Sequence, residues 1–277
     1  LTKKGYTKNQ ISKALYEFYK AVNINTHDDL YQANKEVYSQ LRYGIKVKEE
    51  AGENKETVYL IDWKNPLEND FAIAEEDTIK GVHNKRPDIV IYVNGIALGA
   101  LELKRSTVSV SEGIRQSNDN QKHIFIKPFF TTIQLVMVGQ DVEGLRYAGI
   151  DTSEKYYQKW KEVSEEFNPK DTYLLELTKS LREQAAKAEN LLDKNIIEML
   201  NKERLIEIIH DFVVYDRGQK KFCRPNQYFG IQAAQENLRN KEGGIIWHTQ
   251  GSGKSLTMVW LTKWIKEYNP NARVLIV

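Results

Sequence analysis

Arg86-Pro87-Asp88-Ile89-Val90-Ile91-Tyr92-Val93-Asn94-Gly95-Ile96-Ala97-Leu98-Gly99-Ala100-Leu101-Glu102-Leu103-Lys104 is the stretch on which the fold turns. Two apolar runs flank Asn94-Gly95. A tight two-residue turn needs positive φ at both positions, which Asn and Gly accept most readily, so a β-hairpin is expected. Side chains alternate along a strand, so Glu102 and Lys104 share one face while Leu101 and Leu103 share the other. Strands disfavour Glu and Lys, so this pair at the end of an apolar strand needs a reason. Asp88 and Glu102, with a backbone carbonyl, suit a hard cation such as Mg²⁺. Such an ion lowers the pKa of a bound water and stabilises charge on a phosphate, and Lys104 would orient that water. The register sets a condition. A clean turn pairs Val93 with Ile96 and leaves Asp88 opposite Leu101, facing away from Glu102. One residue of slippage is required, and Gly99 is the expected bulge, because an isolated strand glycine often marks one.

Outward from the hairpin, periodicity predicts a helix over 7–22 and another after Thr26, its expected N-cap, to about Leu41. Short strands are expected at 45–47, 58–63, 71–74, 132–138 and 145–150, and a helix at 109–122. From Asp151 to Asp211 the chain is charged, helically periodic and free of glycine. A helix at 227–240, a strand at 244–247, a Gly-rich loop, a helix at 254–268 and a last strand from Arg273 follow. That βαβ order opens a parallel α/β sheet. The apolar end and the absence of an initial Met read as a fragment of a longer polypeptide.

The Gly-rich loop is His248-Thr249-Gln250-Gly251-Ser252-Gly253-Lys254-Ser255. The strict phosphate-loop pattern wants glycine where His248 stands, but Gly-x-Gly-Lys-Ser remains. Gly251 and Gly253 let backbone N–H groups turn toward phosphates at a helix N-terminus. Lys254 is expected to reach the terminal phosphates of ATP, and Ser255 to ligate its Mg²⁺.

The 277 residues hold 41% hydrophobic side chains, enough for a packed core, and 40 Lys and Arg against 38 Asp and Glu leave a net charge of +2. That balance neither demands nor excludes nucleic acid. A single cysteine, Cys223, excludes a disulfide framework and suits a reducing cytoplasm. No apolar run approaches the ~20 residues of a membrane span, and no signal stretch opens the chain.

Arg86 to Val90, the Asn94-Gly95 turn and Glu102-Leu103-Lys104 together resemble the PD-(D/E)xK nuclease domain in restriction subunits of type I restriction–modification enzymes. That family carries Gln-x-x-x-Tyr on the helix after the Glu-x-Lys strand. Gln116 matches the glutamine, whereas Asn120 stands in the tyrosine's place. Glu36 is a further acidic candidate for the metals. Gly243 to Met258 resembles motif I of the same subunits, which are superfamily 2 translocases. In that superfamily an upstream glutamine reads adenine; Gln227 matches it, and Phe222 could stack on the base. The resemblance implies three parts: a PD-(D/E)xK endonuclease domain with a mixed, helix-flanked sheet over 1–150, a helical linker over 151–217, and the start of a RecA-like ATPase domain over 218–277. It implies Mg²⁺-dependent cleavage of double-stranded DNA without sequence preference of its own. In the full protein that activity is coupled to ATP-driven translocation, with methyltransferase and specificity subunits as partners. The later ATPase motifs lie beyond this chain, so it is not expected to hydrolyse ATP alone. The rival readings are a repair or recombination nuclease–helicase and a catalytically silent DNA-binding or assembly module.

Overall fold

A computed structural model describes residues 1–48, 50, 54–162 and 169–275. At its centre is a mixed sheet of six strands in sequential order: β3 (Phe71–Glu75), β4 (Ile89–Val93), β5 (Ile96–Lys104), β6 (Leu135–Gln140), β7 (Gly144–Ala148) and β8 (Gln158–Lys159). Neighbours run antiparallel except β5 and β6, which are parallel. The parallel pair needs a crossover. Helix α3 (Val110–Asn120) supplies it, capped by Ser109, whose hydroxyl accepts from the Ser111 N–H. Alternation divides the sheet's side chains between two cores. Val90, Ala100, Val136 and Val138 pack with Val110 and Ile114 of α3. Ile91, Leu101, Leu135 and Met137 face the larger core.

That larger core draws on most of the remaining chain. Before the sheet lie α1 (Lys8–Val22), α2 (Leu30–Tyr43), and the small pair β1 (Ile45–Val47) and β2 (Glu56–Val58). Helix α1 starts on a capping box between Thr7 and Gln10. The cap of α2 is Asp29, which accepts from the Gln32 N–H, and not Thr26 as expected: Thr26 is held in a preceding 3₁₀ turn by its bonds to Lys20 and Asn23 carbonyls. β2 also differs from the expected 58–63, ending where 59–63 leaves the ladder.

After the sheet come α4 (Thr172–Ala185), α5 (Leu191–Met199), α6 (Lys202–Asp211), α7 (Pro225–Arg239) and α8 (Lys254–Tyr268), with a hairpin of β9 (Val213–Asp216) and β10 (Gln219–Phe222) between α6 and α7. This hairpin was not expected; Arg217 and Gly218 make its turn, both at positive φ. Tyr147 of the sheet donates to the Cys223 carbonyl, and Trp160 packs edge-on against Tyr228 of α7. The hydrophobic core therefore runs without a break from the sheet through α6 to α7, and Trp260 of α8 joins it. The expected strand at 244–247 does not form among the described residues: the segment is extended without a ladder, with Ile245 90% and Trp247 88% exposed. A strand needs a hydrogen-bonded neighbour on at least one edge, and among the described residues this segment has none. Arg273 to Leu275 is likewise not a strand, and the last two residues of that expected strand lie outside the described set.

One buried network ties the hairpin to the sheet. Lys220 of β10 donates to Asn34 Oδ1 (2.9 Å) and Gln134 Oε1 (2.5 Å), and Asn34 donates onward to the carbonyls of Phe130, Thr131 and Ile133. Lys220 is 2% exposed, and burial drives its pKa well below the ordinary 10.5. Below 10.5 unfolding therefore takes up a proton, so this residue makes stability rise with pH toward 10.5 and fall as pH drops toward its depressed native value. Chemical denaturation of wild type and Lys220→Met across this range should show the steeper rise in wild type, by at most about 1.4 kcal/mol per pH unit. Parallel pH dependences would show that Lys220 does not titrate on unfolding.

Candidate nuclease site and phosphate loop

Hairpin β4–β5 carries the required slip. Val93 pairs with Ile96 and Tyr92 with Ala97, but Ile91 pairs with Gly99, leaving Leu98 as the extra residue beside the predicted glycine. Asn94 and Gly95 hold φ of 51° and 77° in the turn. Beyond the bulge Ile89 pairs with Leu101, so the next position along brings Asp88 opposite Glu102. Both then share the α3 face of the sheet with Lys104.

The side chains meet there. Lys104 Nζ donates to Glu102 Oε1 at 2.7 Å, and Gln116 Nε2 of α3 donates to the same oxygen. Asp88 Oδ2 accepts from the Leu103 N–H at 2.6 Å, which pins the carboxylate across the end of the hairpin. Helix α3 comes close because Gly113 has no side chain: a Cβ there would lie 2.4 Å from Val138. Glu102 is buried. Burial pushes its pKa above the ordinary 4.5, the neighbouring Asp88 charge adds to this, and Lys104 and Lys85 pull it back. Lys85 was not singled out in the sequence; it sits in a loop without periodicity, three residues before Asp88. Glu36 does not join this group. It accepts from Gln40 within α2 and lines a groove with Lys13 and Lys48. Asn120, at the tyrosine position, is buried.

Among the described residues no three His, Cys, Asp or Glu side chains converge as a metal cluster. The donor set is a carboxylate pair, and burial, with the like charge of Asp88 added, raises the Glu102 pKa, a condition that a divalent cation relieves. The residues present therefore fit a hard cation completed by water.

The second group surrounds the Gly-rich loop 248–255. Gly251 and Gly253 take φ of 77° and 87°, so the backbone turns into a concave nest at the start of α8. Lys254 Nζ donates to the Thr249 carbonyl at 3.1 Å, as does the Ser252 hydroxyl at 2.7 Å, and Ser255 is exposed. Gln227 reaches this loop, and both ends of its amide bond to protein backbone. Its Oε1 accepts from the Arg224 N–H and its Nε2 donates to the Gly253 carbonyl at 2.8 Å, with only 1% of the residue exposed. A Cβ on Gly253 would lie 2.5 Å from that nitrogen. In this geometry Gln227 braces the loop. Arg224, which donates to the Gly251 carbonyl, is a second brace. Phe222 is mostly buried but lines a cavity of about 290 Å³ beside Gln227 and Gly253.

These features define an α/β protein with a bulged, carboxylate-bearing hairpin and, after it, a Gly-Lys-Ser loop. Comparison with known proteins narrows this. Residues 2–155 match the family described as type I restriction enzyme R protein N terminus, and the chain belongs to that family. Residues 226–277 match the SWI2/SNF2 ATPase model. The chain is 27% identical to the type I restriction enzyme HindI endonuclease subunit of Haemophilus influenzae, over 84% of this chain and 22% of that protein. It is 23% identical to the type I restriction enzyme SsaAORF53P endonuclease subunit of Staphylococcus saprophyticus, over 81% of this chain and 23% of that protein. The chain thus spans about a quarter of the length of the curated relatives it matches. Among the described residues no helix is long and apolar enough to cross a membrane.

Proposed function

We propose that this chain is the nuclease end of a type I restriction subunit and cuts double-stranded DNA at a PD-(D/E)xK site. The observation that carries the reading is the one-residue slip at Leu98, which turns Asp88 onto the face of Glu102 and Lys104. Asp88 and Glu102 would hold Mg²⁺. When bound, that ion supplies an activated water and charge stabilisation on the scissile phosphate. Lys104, held against Glu102, orients the attacking water and neutralises charge on the phosphate. Gln116 fixes the Glu102 carboxylate in place from α3.

The reading extends to the second group. Residues 1–150 form the nuclease domain, 151–217 a helical connection, and 218–277 the start of a RecA-like translocase domain. The nest at Gly251–Gly253 would hold the phosphates of ATP, with Lys254 neutralising their charge and Ser255 as the hydroxyl that would hold the nucleotide's Mg²⁺. The longer protein couples translocation to cleavage in the cytoplasm, with methyltransferase and specificity subunits supplying target recognition.

Titrating the chain with Mn²⁺ while following its paramagnetic signal tests the metal site. Saturable binding should disappear in Glu102→Gln and persist in Ser255→Ala when no nucleotide is present. Equal binding by Glu102→Gln and wild type would remove the ion from this pair.

A further inference from the structure

Two loops beside the carboxylate pair are joined into one projecting unit. Residues 79–86 fold back on themselves, with Ile79 and Lys85 exchanging both backbone hydrogen bonds at 2.8 and 3.1 Å. The tip is then clipped to residues 122–127: Val82 N–H donates to the Phe125 carbonyl and His83 N–H to the Ile124 carbonyl. Gly81 permits this approach, since a Cβ there would lie 2.2 Å from the Phe125 oxygen. Lys85 Nζ lies 4.1 Å above the Phe125 ring, and Ile79 and Ile126 root the unit in the core beneath α3. Backbone bonds and packing therefore hold the unit to the sheet that bears Asp88 and Glu102. The Asp88 carbonyl itself accepts from the Glu76 N–H at its base.

Its surface chemistry is unusual for this chain. The two loops carry Lys80, Lys85, Arg86, Lys122 and Lys127 with no Asp or Glu between their ends, whereas the whole protein is only +2. Arg86 and Lys122 have exposed acidic partners, Glu76 and Asp119, and such solvent-exposed pairs are weak enough to be exchanged for another anion. At the tip, Val82 and Ile124 stand 64% and 51% exposed on adjoining backbone. Basic side chains around an apolar tip fit duplex DNA: cations meet phosphates, and an apolar side chain wedges into the minor groove.

We propose that loops 79–86 and 122–127 form a wing that grips duplex DNA next to the cutting site. Lys80 and Lys122 lie on phosphates, and Val82 and Ile124 are set into the minor groove. This rests on the nuclease reading for its partner, but its test does not need cleavage. The chain is titrated against a short fluorescent duplex in EDTA over a range of salt, and anisotropy gives the dissociation constant. Lys80→Ala with Lys122→Ala should weaken binding about tenfold and flatten the log–log salt slope by roughly 1.8, or about 0.9 for each phosphate no longer neutralised. Val82→Ala with Ile124→Ala should weaken binding severalfold and leave the salt slope unchanged. All four side chains are exposed, so unchanged thermal unfolding of the variants separates a weakened grip on DNA from misfolding. Wild-type affinity and slope in both double variants would overturn the wing, even if the Asp88 site cuts DNA. Lost binding in these variants would uphold it, even if that site proves silent.

Discussion

Asp88→Asn should lower DNA cleavage by the enzyme reconstituted from the longer subunit about a thousandfold, equivalent to roughly 4 kcal/mol of transition-state stabilisation. The substitution keeps the shape of the side chain and an oxygen for the Leu103 N–H, so the end of the hairpin stays pinned. What it removes is one of two negative charges facing the cation. The effect should therefore fall on metal-dependent chemistry and spare folding. The same loss of like charge should let the Glu102 pKa settle back toward 4.5, because Asp88 is one of the causes that raise it. DNA affinity measured in EDTA should stay level or rise, since a negative charge has left the surface that meets phosphate. Lys104→Ala should be comparably inactive. The double variant should be little worse than either single one, as groups that act as a unit lose their function together. Plasmid cleavage within a few-fold of wild type in Asp88→Asn would sink the nuclease assignment and favour a silent DNA-binding or assembly module.

The legibility of this site followed physical rules in uneven measure. Strand alternation and the Asn94-Gly95 turn were enough to expose a register conflict, and the conflict located the bulge to within one residue of Gly99. A conflict between two strong local rules is informative because only a few backbone devices resolve it. The β9–β10 hairpin escaped because Arg217 occupies a positive φ that its residue type does not advertise. β8 escaped because it is two residues long and its pairing partner, β7, lies across a break in the sequence pattern. The strand expected at 244–247 was read from apolarity alone, but apolarity reports what a segment would bury, not whether neighbours are present to bury it. Gln227 shows the same limit at the scale of one side chain. Its position beside the Gly-rich loop was legible, while its bonds to Arg224 and Gly253 depend on how α7 sits against the loop. Lys85 and the wing were invisible for a similar reason: the contacts that join residues 79–86 to 122–127 are backbone bonds between loops, which carry no periodic signal.

The largest expected loss of stability lies where the sheet meets the helices that lead to the Gly-rich loop. Arg204 of α6 is 2% exposed and forms a forked pair with Glu162, at 2.9 and 3.3 Å, just past the last strand of the sheet. It also donates to the Glu198 carbonyl, and its guanidinium lies 5.5 to 5.6 Å from the rings of Trp160, Tyr228 and Phe229. One side chain thus touches the sheet's edge, α5 and α7 at once. Arg204→Ala strands the Glu162 carboxylate and opens a space among three aromatic rings, and should cost about 3–5 kcal/mol in urea denaturation. Arg204→Lys keeps the charge but not the fork or the flat face for stacking, so it should recover only part of that. Arg204→Met combined with Glu162→Leu removes both charges and should return close to wild type, because a buried pair gains little over apolar residues of similar volume. If the pair also couples the sheet to α7, Arg204→Ala should split one unfolding transition into two, the first reported by loss of order around the Gly-rich loop. A cost below about 1 kcal/mol with a single transition would place Arg204 among ordinary surface-type pairs and leave the aromatic core and the Lys220 network to connect the two ends of the chain.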